Sequence, residues 1–130
     1  MRKMILLTLS LLLLLTGQGV DGATTRYVDC DCANNGDGSA SSCAAGAGQA
    51  GAYNTMDAAI AAMSAGAAGD ILYIMPSTTA YVATYRALND ANQKILGYSQ
   101  NPDDVIVDIA VATRWLDITA AGIELAYFTT

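Results

Sequence analysis

Residues Tyr53 to Pro76, YNTMDAAIAAMSAGAAGDILYIMP, decide how the rest of the chain is read. Met56, Ala59, Ile60 and Met63 fall at i, i+3, i+4 and i+7, which places one apolar stripe on a helix. Asn54 or Thr55 can cap its start, and Asp57 in the first turn suits the helix dipole. Burying the larger residues of that stripe contributes roughly 5–8 kcal/mol before chain entropy is subtracted. Ser64, Ala65 and Gly66 end the helix, and Gly69-Asp70 turns the chain into Ile71-Leu72-Tyr73-Ile74-Met75. That segment is apolar at every position, the pattern of a strand covered on both faces, and Pro76 ends its ladder.

Upstream of this unit lies an export signal. Met1-Arg2-Lys3 is basic, Met4 to Leu15 is apolar but for Thr8 and Ser10, and small residues run from Thr16 to Ala23. This is the order of a secretory signal peptide, and the apolar run is too short to span a bilayer. Residues 1–22 are read as the leader, with the cut after Gly22 preferred over Gly19. The mature protein is then secreted (extracellular, cell-surface or periplasmic) and keeps no stable membrane span.

Removing 1–22 takes Arg2, Lys3 and Asp21 from the chain's 6 basic and 12 acidic residues, leaving four and eleven and a net charge of −7. With Arg26, Arg86, Lys94 and Arg114 as its only cations, the mature chain has little to offer phosphates, which argues against nucleic-acid binding. The same balance gives little attraction to anionic lipid.

An oxidising compartment favours pairing among Cys30, Cys32 and Cys43. Cys30 and Cys32, two apart, would point to one face of a strand, so Cys32 is paired with Cys43 across the polar loop. Closing a loop of that size contributes on the order of 3 kcal/mol. Cys30 is left as a buried free thiol or as the partner of a residue elsewhere.

Thr25 to Asp29 reads as an entering strand, and Asn35-Gly36 and Asp37-Gly38 mark turns. Ala44 to Ala52, nearly all Ala and Gly, reads as an irregular loop with nothing to bury. Beyond Pro76 the candidates are short strands at Tyr81–Thr84, Lys94–Tyr98, Asp104–Asp108, Trp115–Ile118 and Ile123–Phe128. Their links are too short for helical crossovers, which excludes a doubly wound sheet. An antiparallel meander or sandwich and a β-solenoid both remain. Ile71, Ile95 and Ile123 begin strands 24 and 28 residues apart, the length of a three-strand solenoid coil.

The order YVD (27–29), NNGDG (34–38), TMDAAIAAM (55–63), GDILYIMP (69–76), ILGYSQNPDDVIVD (95–108) and LDITAAGIELAYF (116–128) resembles the opening of secreted right-handed parallel β-helix proteins of the pectate-lyase-like superfamily. The resemblance covers about residues 25–130. Pro76-Ser77-Thr78-Thr79-Ala80-Tyr81 departs slightly from the Pro-Gly-Thr-Tyr often found there. It implies a mainly β chain, a right-handed parallel β-helix with one short N-terminal capping helix. Residues 23–70 would form the N-terminal strand, loop and cap, and 71–130 the first coils.

The implied activity is polysaccharide processing, of lyase or hydrolase type, with catalytic coils beyond Thr130. Catalytic residues are therefore unknown, and no cofactor or metal site is assigned. The alternatives are a non-catalytic surface or adhesin-like binding module, and a truncated product without independent function. Residues 71–130 supply about two and a half coils, fewer than stacking requires.

Other constellations of polar and aromatic residues have simpler roles beside the chemical ones. Asp29, Asp31, Asn35 and Asp37 are an oxygen-rich cluster, but Ala33 and the lack of a closing Glu exclude an EF-hand, so solvated turns are preferred. Asp103, Asp104 and Asp108 as paired acids for glycoside hydrolysis give way to turn and strand-end roles. With no His in the sequence, Ser-His and Cys-His nucleophilic arrangements are absent. Among the aromatics that could stack on sugars, Tyr73 is expected in the core; Tyr81, Tyr85 and Trp115 are expected to be partly exposed, and Tyr98 completes the set.

Overall fold

A computed structural model describes residues 22–84, 86–109 and 116–130. The leader, apart from Gly22, lies outside the described residues, as do Tyr85, Arg114 and Trp115. The described residues are mainly β, with one α-helix and eight short strands.

Strand β1 (Thr25–Val28) precedes helix α1 (Met56–Ser64). Then come β2 (Ile71–Ile74), β3 (Tyr81–Ala83), β4 (Arg86–Leu88), β5 (Lys94–Gly97), β6 (Val107–Ile109), β7 (Leu116–Ile118) and β8 (Glu124–Ala126). A 3-10 turn at Pro102–Asp104 precedes β6. Among the described residues every strand pairing is parallel: β1-β2-β5-β8 form one sheet, β3-β6 a second and β4-β7 a third. This rules out the antiparallel meander. A hairpin turn cannot join parallel neighbours; here the return from β1 to β2 runs through α1, and each later return passes through two other strands.

Several boundaries differ from the sequence expectation. The strand expected at Asp104–Asp108 begins only at Val107, because Asn101 accepts a hydrogen bond from the Asp103 N–H and starts the 3-10 turn. Strand β4 was not anticipated; its three residues, Arg-Ala-Leu, carry no alternation that a reader could separate from loop.

Register explains the core. Leu72 pairs with Ile95 and Ile95 with Leu125, while Val28 pairs with Ile74. Side chains alternate across a strand, so these residues share the inward face. Val28, Leu72, Ile74 and Ile95 are fully buried with Tyr81, Leu88, Val105 and Val107. The outward rows are Thr25-Ile71-Lys94-Glu124 and Tyr27-Tyr73-Leu96-Ala126. Ile71, Tyr73 and Met75 are half-buried, so β2 is covered on one face, not two, and Tyr73 is not a core residue.

Helix α1 covers one end of these layers. Thr55 Oγ1 caps it by accepting from the Ala58 N–H at 3.2 Å, and Met56, Ala59, Ile60 and Met63 are all buried, as the stripe requires. Its end is tied down as well. Gln93 Nε2 donates to the Met63 carbonyl at 2.7 Å, a second bond beside the one that carbonyl accepts from the Gly66 N–H at 3.0 Å.

The lead-in folds over β1. Tyr53 N–H donates to the Tyr27 carbonyl at 2.9 Å and its carbonyl accepts from Asp29 N–H at 2.8 Å, which covers the β1 edge. The disulfide is Cys32–Cys43, with Cα atoms 5.2 Å apart, and Cys30 is free. The Ala/Gly segment is an irregular loop, as expected, with Ala45, Ala47, Gly48, Gln49 and Ala50 exposed, but its ends are packed: Ala44, Gly51 and Ala52 are buried and Cys43 bridges Ala52. Small residues serve close approach: a Cβ at Gly36 would strike the carbonyls of Gly51 and Ala52.

Candidate functional site

The loop after Pro76 is organised by one carboxylate. Asp31 accepts from the Thr78 N–H at 3.0 Å and from the hydroxyls of Ser77, Thr78 and Thr79 at 3.0, 3.2 and 3.1 Å. The Thr78 amide foremost, then the hydroxyls, hold its pKa below the usual aspartate value. Asp31 with Ser77 and Thr78 lines an open cleft of about 380 Å³, whose other side carries Asp103 and Asp104. Sequence spacing gave no sign of this meeting, since the two acidic groups are joined only through the parallel layering. Asp104 is engaged with Asn101 Nδ2 at 3.0 Å. The cleft joins carboxylates to hydroxyls, and Asp31 spends its oxygens on anchoring the loop.

The other members of the oxygen-rich cluster do not converge on a cation. Asp29 accepts from the Asp31 N–H at 3.0 Å, and Asn35 Oδ1 from the Asn54 N–H at 3.1 Å. Asp37 accepts from the Ser39 hydroxyl and amide, whose bonds lower its pKa. Asp29 and Asp37 each fasten a local turn, and Asn35 ties the loop to the residue before the helix cap. Asp29 does lie close to Cys32 and Cys43, but both sulfurs are committed to the disulfide and are not thiolate ligands.

Cys30 borders a second cleft, of about 240 Å³, beside Thr55 and Tyr81. Its Sγ lies 3.0 Å from Ser77 Oγ and 3.4 Å from the Thr79 carbonyl. Burial pushes the thiol pKa up against the lowering effect of the Ser77 hydrogen bond, and the Asp31 and Asp29 carboxylates add to the rise. Tyr81, expected partly exposed, is 1% exposed and sends its hydroxyl to the Met75 carbonyl at 2.7 Å. Burial raises its pKa strongly. It fills the core because its ring is on the inward face of β3 while its hydroxyl finds a backbone partner.

A third cleft, about 290 Å³, opens beside the helix C-terminus between Arg26, Gly66 and Asp70. Asp70 is fully buried and accepts from the N–H groups of Thr24 at 2.7 Å and Ala67 at 3.1 Å, with the Arg26 guanidinium 3.8 Å away. Arg26 Nε and Gln93 Oε1 are buried without a hydrogen-bond partner. These groups fasten the entry of β1 to the cap.

On the outward face of the four-stranded sheet, three tyrosines meet. Tyr27 and Tyr73 stack with centroids 5.8 Å apart, and Tyr98 meets Tyr73 edge-on at 5.6 Å and Tyr27 at 6.3 Å. Sequence reasoning picked Tyr73 and Tyr98 but missed Tyr27, although Tyr27↔Tyr73 follows once β1 is laid on β2 in parallel. Beside them Lys94 Nζ and Glu124 form a 2.7 Å ion pair, and the Glu124 carboxylate raises the Lys94 pKa. Among the described residues, no helix is long and apolar enough to cross a membrane.

Comparison with known proteins adds no relative: no family model, curated protein or solved structure matches the chain.

Proposed function

We propose that this chain is the helix-capped beginning of a secreted right-handed parallel β-helix protein that acts on polysaccharides. The observation that carries the reading is the order of pairing. Strands β2, β3 and β4 are each followed by a parallel partner three strands later, β5, β6 and β7, and β8 returns to β5. Parallel strands joined by long returns take a right-handed path in nearly all proteins. The disulfide suits an oxidising compartment and so supports export. In this reading the chemistry, of lyase or hydrolase type, belongs to coils that follow Thr130. Beside the first cleft, Asp31 anchors the loop after Pro76 through the Thr78 N–H and the loop hydroxyls.

A non-catalytic binding module is the second reading, and the outward tyrosine cluster favours it. The two are separated by expressing the secreted protein as this chain and with the coding sequence that follows codon 130. Each form is incubated with uronate and neutral polysaccharides, and new chain ends are counted. Cleavage by the longer product alone supports the enzyme reading. Cleavage by the 130-residue product contradicts it, and binding without cleavage by both selects the binding module.

A further inference from the structure

We infer that Tyr27, Tyr73 and Tyr98 form a binding subsite for neutral saccharide chains on the outward face of the four-stranded sheet. This rests on the polysaccharide-directed reading above and deepens it.

The rings come from β1, from β2 and from the residue after β5, so chain segments distant in sequence are gathered on one face. The inward rows already fill the core, and these three side chains are not among the buried residues. They hold one another instead: the stacked pair lies at 23° and Tyr98 stands at 87° to Tyr73. Mutual packing fixes the rings before any ligand arrives, which lowers the ordering cost of binding. Tyr98 remains 49% exposed. It presents an apolar ring with a hydroxyl at its tip, suited to the C–H face and hydroxyl rim of a pyranose.

Charge selects among saccharides. Across the eight outward positions of the sheet, the ionisable side chains besides the tyrosines are Lys94 and Glu124, which neutralise each other at 2.7 Å. The chain as a whole carries −6. A uronate would meet net repulsion and find Lys94 already paired with Glu124, whereas a neutral glycan carries no charge to be repelled. Tyr98 is exposed and Tyr27 and Tyr73 are half-buried on the sheet's outward side, so the tyrosine face is accessible from solvent. Such a surface suits an extended polymer better than an enclosed small molecule.

The test measures binding of the full secreted chain to cello-, xylo-, manno- and malto-hexaose and to hexagalacturonate by calorimetry. Variants Tyr98→Ala and Tyr98→Phe are compared with Ile106→Ala, a control at an exposed site, and circular dichroism checks that each is folded. At least one neutral hexaose is expected to bind. Tyr98→Ala should weaken it roughly tenfold, the loss of one aromatic anchor, with Tyr98→Phe keeping most of the affinity. Binding unchanged by Tyr98→Ala, or binding of hexagalacturonate alone, overturns the assignment. So does a concentration-dependent dimer abolished by Tyr98→Ala without sugar binding, which would give the face to a second copy. Polysaccharide cleavage by the longer product with no binding here would remove the subsite and leave the proposed function standing. Neither binding nor cleavage by any form removes both.

Discussion

The helix end of the molecule and the β8 end are built from the same inward rows and have opposite fates. At the helix end Leu72, Ile95 and Leu88 are 0% exposed. At the other end Leu125, in register with Ile95, is 40% exposed, and Ile118, in register with Leu88, is 46% exposed. Side-chain type and strand geometry are alike. What differs is a layer on the next side: α1 and the backbone of Tyr53 close one end, and among the described residues no layer follows β8 on the other. Burial here comes from stacking, and an alternating pattern in a strand only prepares it. The sharper consequence is energetic. An apolar row is worth its full value only between two layers, so identical truncations should cost different amounts at the two ends.

The largest effect is expected at the closed end. Ile60→Ala removes a side chain 1% exposed on the inward face of α1 and should cost about 2–5 kcal/mol in urea unfolding, where Leu125→Ala should cost far less. Equal losses would break the comparison. Next, Cys32→Ser with Cys43→Ser opens the loop that packs on β1 and should lower stability by about 3 kcal/mol, read as a drop in melting temperature. Thr55→Ala removes the helix cap and should cost about 1 kcal/mol, measured as a shift in the denaturation midpoint.

The smallest effect is expected from pH. Asp31 and Asp37 have folded pKa values lowered by the donors around them. Their contribution is complete above the ordinary aspartate pKa and fades as pH falls through the lowered values. Both are exposed, so the acid-side loss should be slight, and Asp31→Asn should remove its share of the pH dependence in a thermal titration.

Much of the closed end was legible in the sequence, because helices announce themselves locally. Thr55, Asp57 and the stripe Met56–Ala59–Ile60–Met63 needed no partner to be read. Cys32–Cys43 followed from simple geometry. Legibility failed where three-residue strands depend on what lies beside them. Arg86–Leu88 is a strand because Leu116–Ile118 pairs with it, and nothing in its three residues says so. Tyr73 and Tyr81 were both misplaced for the same reason. Each is a tyrosine near apolar neighbours, and only register puts one outward against Tyr27 and the other inward, with its hydroxyl on Met75. Meetings such as Asp31 with the Ser77–Thr79 loop are equally silent, because 46 residues separate Asp31 from Ser77.

The central claim is parallel layering in a fixed register, and a cross-link reads it directly. Val82 and Asp108 are register partners on β3 and β6, both exposed, so cysteines there lie within disulfide reach. In a Cys30→Ser background, Val82→Cys with Asp108→Cys should close under mild oxidation without loss of folded signal. Val82→Cys with Ile106→Cys, displaced by two residues, should close poorly. Faster closure of the displaced pair, or failure of the paired one in folded protein, would contradict the parallel register on which the account stands.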